Sequence, residues 1–279
     1  MTIVRVTISA VVNTCNEERN IRYCLECLQW CDEIIVVDMH SEDMTIAIAG
    51  EYTDKIFSVE KMGYVEPARK FAVEKASGDW ILLIDADEMV TKRLSEQLLR
   101  IATTNLADVV SIPFKTYIMG AWIKHSGWWP EYHPRFFKRG MITFNDKIHS
   151  ICEVDSSARN LFLPATEQNA IVHFCYTDSE HFVAKLNRYT TIEAENMLRK
   201  GKKFSIFRMF VAGLRGFQVR YLSQSGYRDG YRGLFLGIMM GFYRMLAYIK
   251  LWELYENNGC PVTRRYREQK KDISHGHEC

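Results

Sequence analysis

Apolar and polar positions along this chain follow two alternating periods. Residues 4–13 are rich in β-branched side chains and read as a strand, and residues 17–31 then carry apolar positions at helical spacing. Residues 33–38 (EIIVVD) form a short, nearly all-apolar run, the pattern of a strand buried on both faces. Residues 43–52 predict a helix, 55–59 a short strand, 66–76 a helix and 79–84 (DWILLI) another buried strand. Leu94, Leu98 and Ile101 then mark one face of a further helix. Strand, helix and strand in alternation predict an α/β fold with a mostly parallel, Rossmann-like sheet flanked by helices.

The pattern changes near Ala107. Residues 108–174 contain short strand-like runs (DVVSIPF, TYIMGAWI, PRFFK, MITF and AIVHF), which predict an antiparallel extension of the sheet or a layer covering it. A long helix is expected over 178–200, with Phe182, Leu186, Tyr189 and Met197 on or near one face. Residues 202–222 mix Phe, Met, Leu and Val with Lys and Arg, and 234–254 are more apolar still. The uninterrupted apolar run of the latter, Leu234–Tyr243, is short against the ~20 residues of a spanning helix. Amphipathic helices lying in a membrane interface are the expectation for 200–258, and a polar, poorly ordered tail for 259–279. Packing against protein is the other outcome for those helices.

Composition adds little until it is divided. The whole chain carries a net charge of +2, but residues 200–279 hold 15 Lys/Arg against 6 Asp/Glu, leaving 21 against 28 in residues 1–199. An acidic body and a basic last third predict two different partners. The interleaved aromatics of the basic third are too apolar, and too regularly spaced as helices, for a nucleic-acid groove. The eight cysteines are scattered, and no leader-like segment precedes them, so the expectation is a reducing cytoplasm with free thiols. Cys24, Cys27 and Cys31 fall at i, i+3 and i+7 with no second pair to complete a zinc site, so they read as small buried hydrophobes.

The densest chemistry is Ile84-Asp85-Ala86-Asp87-Glu88, where three acids follow a buried strand. Ligands bind at the carboxyl ends of strands in open α/β sheets. Two carboxylates one residue apart can converge on Mg²⁺ or Mn²⁺, which commonly join protein oxygens to substrate phosphates. Acids in such a turn also suit the start of the next helix. Two other strands end in polar groups, at 13–18 (NTCNEE) and at Asp38 followed by MHSED. Three strand ends thus deliver polar side chains to one edge.

The runs VVNTCNEERNI, EIIVVDMHSED and ASGDWILLIDADEMV, in this order, resemble family 2 glycosyltransferases of GT-A fold. HPRFFKRG, FNDKIHSICEV, AIVHFCYTDSEHFVAKLNRYTTIEAENML and GYRDGYRGLF extend the resemblance to the branch containing bacterial lipopolysaccharide-core β-glucosyltransferases, over about residues 3–255. The resemblance implies a nucleoside-diphosphate sugar donor, a UDP-sugar in the first instance, a divalent metal and inversion at the anomeric carbon. It implies that Thr14, Asn16, Glu17 and Asp38 hold the nucleoside, Asp85 the ribose or the metal loop, and Asp87 the metal, with His173 reaching the metal or diphosphate. Arg69 matches a position that contacts base or phosphates, and Lys70 stands where the family commonly has Asn. Where the branch carries a His-Glu pair, this chain has His149-Ser150, so the base candidates are His149, Glu153 and Asp146.

The remaining assignments concern an acceptor. Trp128 and Trp129 offer faces to a sugar ring, Arg135 suits a phosphate, and Lys185 and Arg188 match a K-x-N-R-Y segment of the long helix. Arg228-Asp229-Gly230 marks a basic turn suited to an anionic headgroup. The function implied is an inverting, metal-dependent transfer of a sugar to a saccharide or lipid-linked acceptor in envelope glycan or lipopolysaccharide synthesis. Residues 1–199 would form the nucleotide-sugar-binding and catalytic domain, peripheral on the cytoplasmic face of the inner membrane. A non-catalytic nucleotide-sugar-binding or membrane scaffold is the alternative that Ser150 keeps open. A haloacid-dehalogenase-type phosphatase is disfavoured, because its D-x-D follows the first strand.

Overall fold

The computed structural model describes residues 5–60, 66–144, 152–257, 259 and 262–274. In chain order the elements are β1 (Ile8–Thr14), α1 (Ile21–Glu26), β2 (Glu33–Asp38), α2 (Thr45–Ala49), β3 (Ile56–Ser58), α3 (Glu66–Lys75), β4 (Trp80–Asp85), β5 (Glu88–Met89) and α4 (Lys92–Thr104). There follow β6 (Val109–Ile118), β7 (Ala121–Trp122), β8 (Tyr132–Lys138), β9 (Ile142–Thr143), β10 (Glu153–Val154), β11 (Asn160–Phe162) and β12 (Ile171–Tyr176). The last elements are α5 (Ser179–Arg199), α6 (Ile206–Gln218), α7 (Gly230–Glu256) and α8 (Val262–Ser274). The chain divides into two compact units, one comprising 1–122 and 128–175, the other 123–127 and 176–279.

The first unit is built on one sheet of order β3-β2-β1-β4-β8-β6-β12-β5, with β7 and β11 also on β6. Pairing is parallel from β3 to β4 and antiparallel from β4 through β8 to β6. This is the expected α/β architecture of the GT-A fold, a parallel half with an antiparallel extension. Strand alternation explains how helices cover both faces. Ala10, Val12, Val36, Leu82 and Ile84 pack with Ile21 and Leu25 of α1 and Leu94 and Leu98 of α4. Their neighbours Val11, Ile35, Val37, Ile81 and Leu83 pack with Ala68 and Ala72 of α3. Each buried methylene-rich side chain contributes about 1.5–3 kcal/mol, so this double layer fixes the register at the functional edge.

Two helices are shorter than their periodicity predicts. α1 gives way to i−3 bonds, Leu28 N–H to the Leu25 carbonyl at 3.1 Å and Cys31 N–H to the Leu28 carbonyl at 2.9 Å. α2 ends the same way at Glu51 and Tyr52. Tight terminal turns keep the apolar spacing while leaving the α-helical geometry.

The second unit is helical. α5 and α7 bury Ala194, Met197, Ala247 and Leu251 between them. α6 and α7 meet at glycines: a β-carbon on Gly241 would stand 2.9 Å from the Gly213 carbonyl oxygen. The segment 124–126 is tied in by Asp229, whose carboxylate accepts from the Lys124 and His125 N–H groups at 3.3 and 2.9 Å, and by Arg220, which donates to the Ser126 carbonyl at 2.7 Å. The 228–230 turn therefore has an internal anchor in Asp229, with Arg228 left exposed. Residues 262–274, expected to be poorly ordered, form α8, because Arg, Glu, Gln and Lys are good helix formers and Arg264 lies 3.4 Å from Glu268 one turn on. Gly226–Glu256 is long and apolar enough, by length and composition, to cross a membrane.

Candidate functional site

Strand register assembles the candidate site. Thr14, Asp38 and Asp85 are the last residues of β1, β2 and β4, and the pairing sets Thr14 beside Asp38 and Asn13 beside Asp85. Two of the connecting turns interlock. Asn16 adopts a left-handed conformation (φ 56°), which Asn tolerates, and its side-chain oxygen accepts from Glu42 N–H at 2.7 Å. Its own N–H donates to Ser41 Oγ at 2.7 Å, and Ser41 N–H donates to Asp38 at 2.9 Å. Glu17 N–H donates to Thr45 Oγ1, and the Glu17 carboxylate accepts from Asn20. The first two turns therefore form one bonded shelf above β1 and β2.

The third turn carries a dense charge cluster. Asp85 accepts from Arg69 at 2.6 Å and from Arg135 at 3.0 Å, and Arg135 reaches Glu88 at 2.7 Å. Glu88 also accepts the Asp85 N–H at 2.9 Å, which closes the turn. Burial would raise the Asp85 carboxyl, but the two guanidiniums hold it below the ordinary carboxylate range. Glu88, only 1% exposed, is pushed up to about 7 by burial against the opposing pull of Arg135. His173, from β12, pairs with Glu88 across β5, and its Nε2 lies 3.5 Å from Asp87. Burial would lower the imidazole, yet the Asp87 and Cys175 contacts hold it well above its usual range.

Several buried polar atoms here have no partner among the described residues: both amide atoms of Asn13, Thr14 Oγ1, Arg69 Nε, Asp85 Oδ1 and Arg135 Nη1. Orphaned buried groups cost about 1–3 kcal/mol each, so a run of them at one sheet edge marks a place where a polar ligand completes the bonding. The donor set fits a divalent cation. Ligand atoms of Asp87, Glu88 and His173 lie within 4.8 Å of one another, with Asp85 on the same turn.

Thr14, Asn16, Asp38, Asp85 and Asp87 thus stand on the ends of adjacent strands and the turns after them, where Arg69 of α3 reaches Asp85 and His173 of β12 reaches Asp87. Arg135, expected against an acceptor phosphate, is buried in the acid cluster instead, with Phe114 under its guanidinium at 5.2 Å. Glu88 and Asn13 are site residues to which the sequence assigns no role, although Glu88 follows D-x-D directly and Asn13 precedes Thr14. Trp129 meets Trp122 edge-on at 5.3 Å, and Lys115 caps Trp122 at 4.7 Å. Glu153 is exposed on β10, opposite Thr143. Asp146 and His149 lie outside the described residues. Lys185 and Arg188 are on α5 in the second unit, Lys185 over the Tyr176 ring at 5.3 Å and Arg188 over Tyr189 at 5.2 Å. Cys24 is buried beneath the third turn with Sγ 3.7 Å from the Asp85 carbonyl, as its helical spacing predicts, whereas Cys27 and Cys31, expected to be buried with it, are half-buried where α1 gives way to tighter turns. All three belong to the six free cysteines among the described residues.

Residues 9–160 match the family description "Glycosyl transferase family 2". The lipopolysaccharide core biosynthesis glycosyltransferase LpsC of Rhizobium meliloti is 25% identical over 263 residues, covering 89% of this chain and 93% of its own. A glycosyltransferase of Rickettsia typhi, RT0209, is 29% identical over 260 residues, covering 88% of this chain and 87% of its own. Among solved structures, TarS of S. aureus aligns with a TM-score of 0.47 at 15% identity, covering 90% of this chain and 55% of that one.

Proposed function

The chain belongs to glycosyl transferase family 2, and on that premise we propose that it moves a sugar from a nucleoside-diphosphate sugar to a saccharide or lipid-linked acceptor of the cell envelope, with inversion. The observation that carries the donor assignment is the register of β1, β2 and β4, which lines up Asn13, Thr14, Asp38 and Asp85 with unpartnered buried polar atoms on three of them. On this reading Thr14, Asn16, Glu17 and Asp38 hold the nucleoside of a UDP-sugar. Arg69 lies beside the diphosphate, and Asp85 orients Arg69 and Arg135.

Asp87 and His173, with Asp85, would hold Mg²⁺ or Mn²⁺, which when bound offsets the negative charge that grows on the departing diphosphate. Glu88 is already engaged by Arg135 and the Asp85 N–H, so it serves to keep the turn closed. A general base takes the proton of the acceptor hydroxyl, and it is drawn from Asp146, His149 and Glu153. Within the first unit, Trp128 and Trp129 offer ring faces to the acceptor sugar. Similarity to LpsC supports a lipopolysaccharide-type acceptor.

The second unit gives the chain its membrane surface on this reading. α7 packs along α5, whose sequence is dense in charge, so α7 suits the interface better than the bilayer interior. The chain would then work on the cytoplasmic face of a membrane. The decisive experiment is a melting panel of nucleoside diphosphates with and without Mn²⁺. One nucleotide is expected to stabilise the protein in a metal-dependent way, by about 2.7 kcal/mol at a hundredfold excess over its Kd. If no nucleotide moves the melt, the donor assignment fails.

A further inference from the structure

Within the second unit, α5, α6 and α7 enclose an open cleft of about 450 Å³ that takes no part in the donor site. Its lining carries Lys202, Arg215, Arg220 and Arg244 against a single carboxylate, Glu193. Arg220 is held in place by the Ser126 carbonyl and the Gln224 side chain. No carboxylate of the described residues lies within ion-pair distance of Arg215, Arg244 or Lys202, although opposite charges elsewhere in the chain pair readily. Gly216 makes room for the arrangement, since a β-carbon there would stand 3.1 Å from Arg244 Cγ and 2.9 Å from the Met240 carbonyl.

The neighbouring face of α6 is apolar and uncovered. Phe207, Phe210, Val211 and Leu214 fall at helical spacing and are 74, 51, 45 and 71% exposed. Arg215 follows directly on that stripe. Several guanidiniums beside an exposed apolar stripe suit one kind of molecule, an amphiphile with a phosphate at its head. Guanidinium forks match phosphate oxygens bidentately, and the stripe matches an acyl chain.

We propose that this cleft binds the phosphate of an anionic lipid headgroup, with the α6 stripe seated among the acyl chains beside it. The proposal rests on the reading of the second unit as a membrane surface, and it names the lipid class and the residues that select it.

The test is co-sedimentation of the full chain with phosphatidylcholine vesicles, with and without phosphatidylglycerol. The expected result is a preference for the anionic vesicles that falls about 30-fold in the Arg215→Gln/Arg244→Gln variant, from about 1 kcal/mol per basic residue at an anionic surface. A control with the same charge loss on α8, Arg267→Gln/Lys270→Gln, should keep the preference to within about threefold. Arg215→Gln alone, about fivefold weaker, serves if the double variant fails to fold. Equal loss in both double variants overturns the cleft in favour of a diffuse basic field. Wild type binding both vesicle types equally overturns the selection of an anionic lipid by the cleft while leaving the membrane surface standing. Wild type binding neither overturns both. Inorganic phosphate raising the melting temperature as much as phosphatidylglycerol vesicles do would assign the cleft to a free anion and overturn the lipid.

Discussion

Arg135 sets the charge balance of the turn after β4. Its guanidinium is buried between Asp85 and Glu88, and no other cation among the described residues forms an ion pair with Glu88. Replacing it by Met would strand the buried Glu88 carboxylate and leave Asp85 with Arg69 alone, and urea unfolding of Arg135→Met at neutral pH should show a loss of about 3 kcal/mol. A second residue-scale prediction concerns Glu33. Burial would raise its carboxyl, but hydrogen bonds from Lys55, Ser9 and Ser77 hold it at about 2, below the ordinary 4.5. A depressed carboxylate contributes stability that is complete above its unfolded value and disappears as pH falls through its folded value. Glu33→Ala should therefore be less stable by about 2 kcal/mol at pH 7, with the gap closing between about pH 4.5 and 2. Melts at a series of pH values check both limits. Asp38, Asp85 and Asp87 were legible as site candidates because each closely follows a buried run. The partnership of Arg135 with Asp85 was not, since the two lie 50 positions apart and meet only through antiparallel pairing of β8 with β4. Cys24 was legible for the opposite reason, a local spacing with a local outcome.

Elements were readable in proportion to how much of their pattern is local. β2 falls on its six apolar-run residues, and α5 lies within one residue of the range its spacing predicts. α1 and α2 came out shorter because hydrophobic spacing does not distinguish an α-turn from a tighter one. β5, β10 and β11 are two or three residues long and exist only through their partners, so no run announces them. The α6–α7 contact was also hidden, since it depends on glycines that carry no hydrophobic signal. There the β-carbon of Gly241→Val would meet the Gly213 carbonyl at 2.9 Å. The helices would have to separate, and thermal unfolding should report a loss of about 2 kcal/mol, net of any gain in helix propensity. Gly230→Ala is a poor comparison because its φ of +62° adds backbone strain. Leu106→Ala, at an exposed apolar site, is the fair control and should cost under about 0.5 kcal/mol.

At the scale of the molecule, the two units have different chemistry, and the basic residues 200–279 all fall in the second. The first presents strand ends with unpartnered polar atoms, and the second presents a basic cleft beside an apolar stripe. Hydrogen exchange should separate them. A nucleoside diphosphate with Mn²⁺ should slow exchange in the turns at 14–17, 38–42 and 85–88, whereas anionic vesicles should slow it in α6. Protection of the same peptides by both would contradict separate ligand surfaces. The chain path between the units has its own consequence. Residues 123–127 belong with the helical unit while the residues on either side of them belong with the sheet, so the backbone passes between the units three times. No single join divides the protein into transplantable modules. A chimaera spliced after Cys175 would receive foreign helices without the Asp229 and Arg220 that fasten 124–126, leaving that segment's backbone groups unbonded. Recombination between relatives that exchanges the helical end must therefore carry both this five-residue passage and its fasteners, so these distant stretches should be inherited together.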